Sequence, residues 1–385
     1  MRNAVALCAV GAEKAVSNEI KKLGLIVAES GFGRVRFRAD TAGLYRSLMR
    51  LRAADRVLLE TAVFHAADFD ALFEGTRNVP WEELIPARLG FKVAKVRSNR
   101  SRLQAETSIQ SVVHKAAADR LCKAYGLARL PEDAQMAEVR VYIEKDAVSL
   151  LLDLSGEPLY KRGYRKEGGA APLRETTAAA MLLLSGWKRK YPLYDPFCGS
   201  GTILIEALMY AWDMAPGLGR KFALNDLLIA DNAVEETVRN ELLGRISLER
   251  TIRIAGSDED ASAVTIAASN VERLKKICPA AGNMKTAPFE LKAIPMREAR
   301  PHRGAESENG FIVTNPPYGK RLGDPSASEK LYGEMAALAR HFPQWKLAVI
   351  TNHPGFESFF GKKANSCREI KSGPISACFF QYERL

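Results

Sequence analysis

In Gly33-Arg34-Val35-Arg36-Phe37-Arg38 apolar and basic residues alternate, the period of a half-buried strand with Val35 and Phe37 inward and three arginines outward. Apolar patterning also predicts strands over 3–10 and 56–64, with helices over 12–23, 44–51 and 69–76. This is the order of a small α+β layer, and we place its boundary at residues 1–67. A second region, 68–155, contains a strand that runs into a basic loop over 90–102, a helix over 107–124 and strands over 137–144 and 148–154. Residues 156–170 mix glycines with Lys161, Arg162, Arg165 and Lys166 and read as a linker. From 171 to 385 strands and helices alternate: helix 175–187, strand 192–194, helix 202–212, strand 253–256, helix 259–274, strand 311–314, helix 329–341 and strand 345–351. An aromatic-rich strand over 376–382 closes the chain, and 304–309 is a polar loop. Such alternation predicts a mostly parallel, doubly wound α/β sheet.

Composition narrows the class. Of 385 residues 47% are hydrophobic, enough for a sizeable core, and the net charge of +11 favours a polyanionic partner. The six cysteines are scattered without a C-x-x-C pair and the five histidines are dispersed, so neither a disulfide framework nor a metal site is expected, and a reducing cytosol fits. The apolar start is short and runs at once into Glu13 and Lys14, which suits an opening strand better than a secretion signal; no stretch approaches a membrane span.

Two segments carry the chemistry. Asn315-Pro316-Pro317-Tyr318 follows an apolar strand, and its prolines fix the backbone just beyond the strand's carboxyl end, the ligand-binding edge of such a sheet. The Asn315 amide oxygen and the Pro316 carbonyl form a stiff acceptor pair suited to an exocyclic NH2 group, and Tyr318 offers a stacking ring. A bare strand terminator is the alternative. Upstream, Asp195-Pro196-Phe197-Cys198-Gly199-Ser200-Gly201-Thr202 takes a strand through two glycines into an apolar helix, which lets a ligand approach the backbone closely. It is neither a dinucleotide fingerprint, since Leu204 replaces the third glycine, nor a phosphate loop. Asp258, at the end of the second parallel strand, is placed to bind ribose hydroxyls or to cap the following helix; the insertion over 210–248 lengthens its spacing from the glycines.

Together these motifs resemble the class I S-adenosylmethionine-dependent methyltransferases that act on amino nitrogens. The order Gly11-Ala12-Glu13, Lys161-Arg162-Gly163-Tyr164-Arg165, Ala171-Pro172-Leu173-Arg174-Glu175-Thr176 and Asn315-Pro316-Pro317-Tyr318-Gly319-Lys320-Arg321 is similar to that of the THUMP-containing guanine-N2 RNA methyltransferases. The resemblance implies a Rossmann-like class I domain with a seven-stranded, mostly parallel sheet over 171–385, behind a ferredoxin-like region (1–67) and a THUMP RNA-binding region (68–155). It implies S-adenosylmethionine as cofactor, with Asp195–Thr202, Asp258, Glu175 and Thr176 as contacts, no metal, and Asn315, Pro316, Pro317 and Tyr318 as the catalytic turn. The acid usual near the adenine is replaced by a segment ending in Phe289-Glu290, where Phe289 is a candidate packing partner for the ring. RNA is the implied partner, large-subunit ribosomal RNA first and transfer RNA second. Lys92, Lys95, Arg97, Arg100, Arg102, Lys161, Arg162, Arg165, Lys320 and Arg321 are the candidate phosphate contacts. Adenine N6, a protein glutamine amide and a non-catalytic RNA-binding factor stay open as alternatives.

Overall fold

The computed structural model describes residues 1–132, 135–165, 173–250, 252–277, 289–301, 309–317, 325–372 and 375–385. The first sheet contains β1 (Arg2–Cys8), β2 (Ile26–Gly31), β3 (Arg34–Ala39), β4 (Ala54–His65), β5 (Gly90–Asn99), β6 (Met136–Glu144) and β7 (Ala147–Asp153) in the order β2-β3-β1-β4-β7-β6-β5. The alternation in β3 behaves as its period requires: Val35, Phe37 and Ala39 are buried while Arg38 is exposed. Strand β6 does the same, burying Ala137, Val139, Val141 and Ile143. The two N-terminal regions are not separate layers. Twelve-residue β4 pairs antiparallel with β1 on one edge and β7 on the other, so one sheet runs through both. Strands β5 and β6 run parallel and are joined through the helix Glu106–Tyr125, a crossover that parallel pairing demands.

The second sheet contains β8 (Leu193–Asp195), β9 (Ile254–Asp258), β10 (Glu290–Ala293), β11 (Phe311–Thr314), β12 (Lys346–Thr351), β13 (Ser366–Ser372) and β14 (Ile375–Tyr382) in the order β10-β9-β8-β11-β12-β14-β13. The five strands β8–β12 are parallel, and β14 returns antiparallel against β12. This is the expected seven-stranded Rossmann-like arrangement. Apolar β8 and β11 are buried on both faces, as central parallel strands must be. The insertion carries a helix the pattern did not single out, Asn232–Gly244, started by Asp231, whose side chain accepts from Val234 N at 3.0 Å. The helix expected over 329–341 is two pieces, Pro325–Met335 and Leu338–His341.

Just past the end of β1, an interior strand of the first sheet, a backbone bridge joins the chain to β13, an edge strand of the second. Val10 N donates to Lys371 O and Lys371 N to Val10 O, both at 3.0 Å. Gly11 sits there at φ +93°, and a Cβ on it would lie 2.1 Å from Glu369 O, so no other residue fits. The Glu13 carboxylate holds this corner by accepting from Gly11 N (2.8 Å) and Gly33 N (2.7 Å). Among the described residues no helix is long and apolar enough to cross a membrane, and no group of three or more His, Cys, Asp or Glu is arranged to hold a metal.

Candidate active site

Strand order reverses between β8 and β11, which are parallel neighbours in the register Phe311↔Leu193 and Ile312↔Tyr194. The glycine turn after β8 and the Asn-Pro-Pro turn after β11 therefore leave the sheet side by side, over the crevice where such sheets bind ligands. One hydrogen bond joins their roots: the Thr314 hydroxyl donates to Asp195 Oδ1 at 2.6 Å, with both residues buried. Phe197 N donates to the same oxygen at 3.1 Å. Burial pushes the Asp195 carboxyl up to about 7, against the opposing pull of these two donors, and the charge of nearby Asp258 adds to the rise.

The turn itself is built for close approach. Gly199 (φ +50°) and Gly201 (φ +78°) both lie in the left-handed region. A Cβ on Gly201 would press on Ala267 Cβ at 3.0 Å, whereas one on Gly199 would project into open space, the cradle a ligand can enter. The helix Thr202–Ala211 begins at this point, and its Ile205 N donates back to Gly201 O at 2.9 Å. Asp258 spans the crevice floor: Oδ2 accepts from Gly199 N (2.8 Å) and Oδ1 from Asp260 N (3.1 Å). Each oxygen keeps a second lone pair, so ribose binding and turn-holding are compatible. Cys198 is buried, and its thiol is pushed up by burial and by Asp195, so it packs and does not act as a nucleophile.

The acceptor side has a different character. Pro316 is buried and Asn315 half-buried, and Asn315 Oδ1 is a buried acceptor with no hydrogen-bond partner. Buried polar atoms are normally satisfied, so an orphan oxygen aimed from a rigid turn points to a ligand donor. Tyr318, Lys320 and Arg321 lie outside the described residues.

Several of the expected contacts are engaged within the protein. Glu175 is buried, its carboxyl pushed up by burial against the pull of Arg165. Thr176 is also buried and spends its hydroxyl on Asp55 Oδ1 at 2.5 Å, which ties the helix Glu175–Leu184 to β4. Phe289 is buried in the main core. The phosphate role expected for Arg162 does not fit its burial: Nε donates to Glu206 Oε1 (3.4 Å), Nη1 to Leu159 O (2.7 Å) and Nη2 to Arg52 O (2.5 Å). Arg165 also turns inward. Its Nη2 donates to Leu173 O (3.0 Å) and to the Thr202 hydroxyl, and its guanidinium lies 3.6 Å from Glu175. It braces the glycine-turn helix and leaves no fork free for RNA. Lys92, Lys95, Arg97, Arg100, Arg102 and Lys161 are exposed. Of these, Arg97 pairs with Glu106 (2.9 Å), Lys161 with Glu157 (2.7 Å), Arg102 with Asp146 (3.7 Å) and Lys92 with Glu138 (3.8 Å).

Two supporting residues were missed. Thr314 is visible in sequence only as one hydroxyl closing an apolar strand. Asn270, fully buried on the helix Ala261–Ile277, donates to Ser200 O at 3.0 Å and so fixes the turn; a lone amide on an apolar helix face was its only signal.

The comparisons agree with this geometry. Residues 162–379 match the family model described as RMKL-like, methyltransferase domain; residues 3–58 match the RlmL ferredoxin-like domain and 66–153 the THUMP domain. A Bacillus subtilis (strain 168) protein named "Putative RNA methyltransferase YpsC" is 33% identical over 98% of this chain and 95% of its own length. The ribosomal RNA large subunit methyltransferase K/L of Syntrophotalea carbinolica is 32% identical over 97% of this chain, which spans 52% of that protein. A solved structure described as "SMU.472, a putative methyltransferase complexed with SAH" superposes with a TM-score of 0.87 at 33% identity, covering 100% of this chain and 98% of that one. The cradle at Gly199 and the carboxylates around it suit that cofactor class. The chain belongs to the RMKL-like methyltransferases and is an S-adenosylmethionine-dependent methyltransferase of RNA.

Proposed function

We propose that the protein methylates the exocyclic N2 of guanine, in large-subunit ribosomal RNA first and transfer RNA as the alternative, in the cytoplasm. The observation that carries this reading is the unpartnered Asn315 Oδ1 at the switch point, one peptide away from the hydrogen bond that roots the cofactor turn. Asn315 Oδ1 and the Pro316 carbonyl would accept the two amino hydrogens and turn the nitrogen lone pair outward. Gly199, Gly201 and Asp258 would hold the cofactor, and bound S-adenosylmethionine supplies a methyl group activated by a sulfonium. Holding nitrogen and methyl in line is worth about 7–11 kcal/mol, more than the roughly 3–5 kcal/mol of a general base. The acceptor turn has the composition of a positioning device: Asn315 and Pro316 orient, and the surplus proton leaves to water after transfer. The relative named for large-subunit ribosomal RNA supports that RNA as substrate, and guanine rather than adenine is what the resemblance of the ordered motifs implies. Nucleoside mass spectrometry of separated ribosomal and transfer RNA from a deletion strain tests the assignment. Loss of N2-methylguanosine from the large-subunit pool supports it, loss from transfer RNA selects the alternative, and an unchanged N2-methylguanosine content in both overturns it.

A further inference from the structure

Asp55, the second residue of β4, belongs to the first sheet, yet the groups it holds lie on the segments that lead into the second. Its backbone carbonyl accepts from Leu159 N at 2.7 Å. Its side chain faces the start of the helix Glu175–Leu184: Oδ1 accepts from the Thr176 hydroxyl at 2.5 Å, and Oδ2 lies 3.6 Å from the Arg174 guanidinium, which stacks over the Tyr160 ring at 4.8 Å. Burial pushes the Asp55 carboxyl up, while the Thr176 hydroxyl and the charges of Arg174, Arg162 and Arg56 pull it back. A carboxylate gripped at both oxygens has little freedom to move, so it fixes what it grips.

What it grips bears on the glycine turn. Glu175 and Thr176 open their helix side by side. Glu175 pairs with Arg165, and Arg165 donates to the hydroxyl of Thr202, the first residue of the helix behind the turn. That hydroxyl lies 3.4 Å from the hydroxyl of Ser200, which stands between Gly199 and Gly201. A chain of polar contacts therefore runs from Asp55 in the first sheet to the cradle at Gly199. Glu175, Thr176 and Thr202 are buried, so solvent does not make good a bond lost at one end. A shift of the helix start would reach the turn as a displacement of Arg165 and Thr202, and small misplacements of a binding constellation are costly.

We propose that Asp55 is a positioning residue for the cofactor turn, acting from the first sheet through Thr176, Glu175 and Arg165. The proposal concerns cofactor binding and holds whichever base is methylated. It is tested on the full chain by calorimetric titration of SAH at 25 °C. Asp55→Ala and Thr176→Val are each expected to weaken SAH about fivefold or more. The double variant is expected to lose no more than either single one, because both remove the same link; independent effects would multiply to about twenty-five-fold. Thr176→Ser keeps the hydroxyl and is expected to restore wild-type affinity. Arg46→Ala is the control. It removes another ion pair between the two halves of the chain, Arg46 to Glu241 at 2.8 Å, from the helix Thr41–Arg50 to the helix Asn232–Gly244, and is expected to cost under about twofold. Wild-type affinity in either single variant, losses that multiply, failure of serine to restore binding, or an equal loss in Arg46→Ala overturns the proposal while leaving the assigned reaction standing. Should Asp55→Ala fail to fold, the contrast between Thr176→Val and Thr176→Ser decides it alone.

Discussion

Replacing Thr314 with valine keeps the branched shape of a buried side chain and removes its hydroxyl. The structure shows what that hydroxyl does: it donates to Asp195 Oδ1 at 2.6 Å and so favours the ionised carboxylate, which burial otherwise pushes up to about 7. A hydrogen bond to a charged group is worth about 1.5–3 kcal/mol, so its loss should raise the Asp195 midpoint by roughly one to two pH units. At neutral pH about half of the wild-type carboxylate is ionised, against about a tenth or less in the variant. If the ionised form is the one that holds the cationic cofactor, apparent affinity scales with that fraction and falls roughly five- to fiftyfold. Calorimetric titration of S-adenosylmethionine from pH 6 to 9.5 reads the effect directly. Wild-type affinity should rise through about pH 7 and level off. The Thr314→Val curve should follow the same shape displaced upward in pH, and Thr314→Ser should restore it. Superimposable curves for wild type and Thr314→Val would refute the reasoning, because the hydroxyl would then have no hold on the carboxylate.

Other perturbations separate support from chemistry. Because the Asp195 folded-state value of about 7 exceeds its ordinary 3.8, the folded protein binds the proton more tightly. Its contribution to stability is therefore full below about pH 4 and is lost as pH rises through about 7; chemical denaturation of Asp195→Asn should lack this decline. Arg162→Ala leaves Glu206 buried without its cation and should cost about 3–5 kcal/mol in urea unfolding, whereas Lys161→Ala, at an exposed pair, should leave the urea midpoint unchanged. Gly11→Ala drives a methyl group into Glu369 O at the bridge between the sheets, and a drop in melting temperature with SAH affinity unchanged at 25 °C is the expected result.

The catalytic half was the more legible part of the sequence. Strands β8 and β11 are short apolar runs ended by an acid and by prolines, so their ends, and the crevice between them, could be placed from local chemistry alone. The shared N-terminal sheet was not legible, because the pairing of β4 with β7 joins residues nearly ninety positions apart and leaves no local period. Arg162 misled for a related reason. A basic residue in a glycine-rich linker reads as exposed, and only the tertiary placement of Glu206 and Tyr164 shows it to be a buried clasp, with Tyr164 Oη donating to Glu206 Oε1 at 3.2 Å. The basic face of the first sheet was half visible: the outward arginines of β3 were evident, but not that β5 and β6 belong to the same sheet.

The account stands on the Asn315 oxygen orienting an amino group for transfer. The most direct measurement incubates wild type and Asn315→Ala with labelled S-adenosylmethionine and large-subunit ribosomal RNA from the deletion strain, then identifies the methylated nucleoside by mass spectrometry. The account predicts N2-methylguanosine from the wild type and at least about a hundredfold slower formation by Asn315→Ala, with SAH affinity retained. Label in N6-methyladenosine, or equal rates from the two proteins, would contradict it.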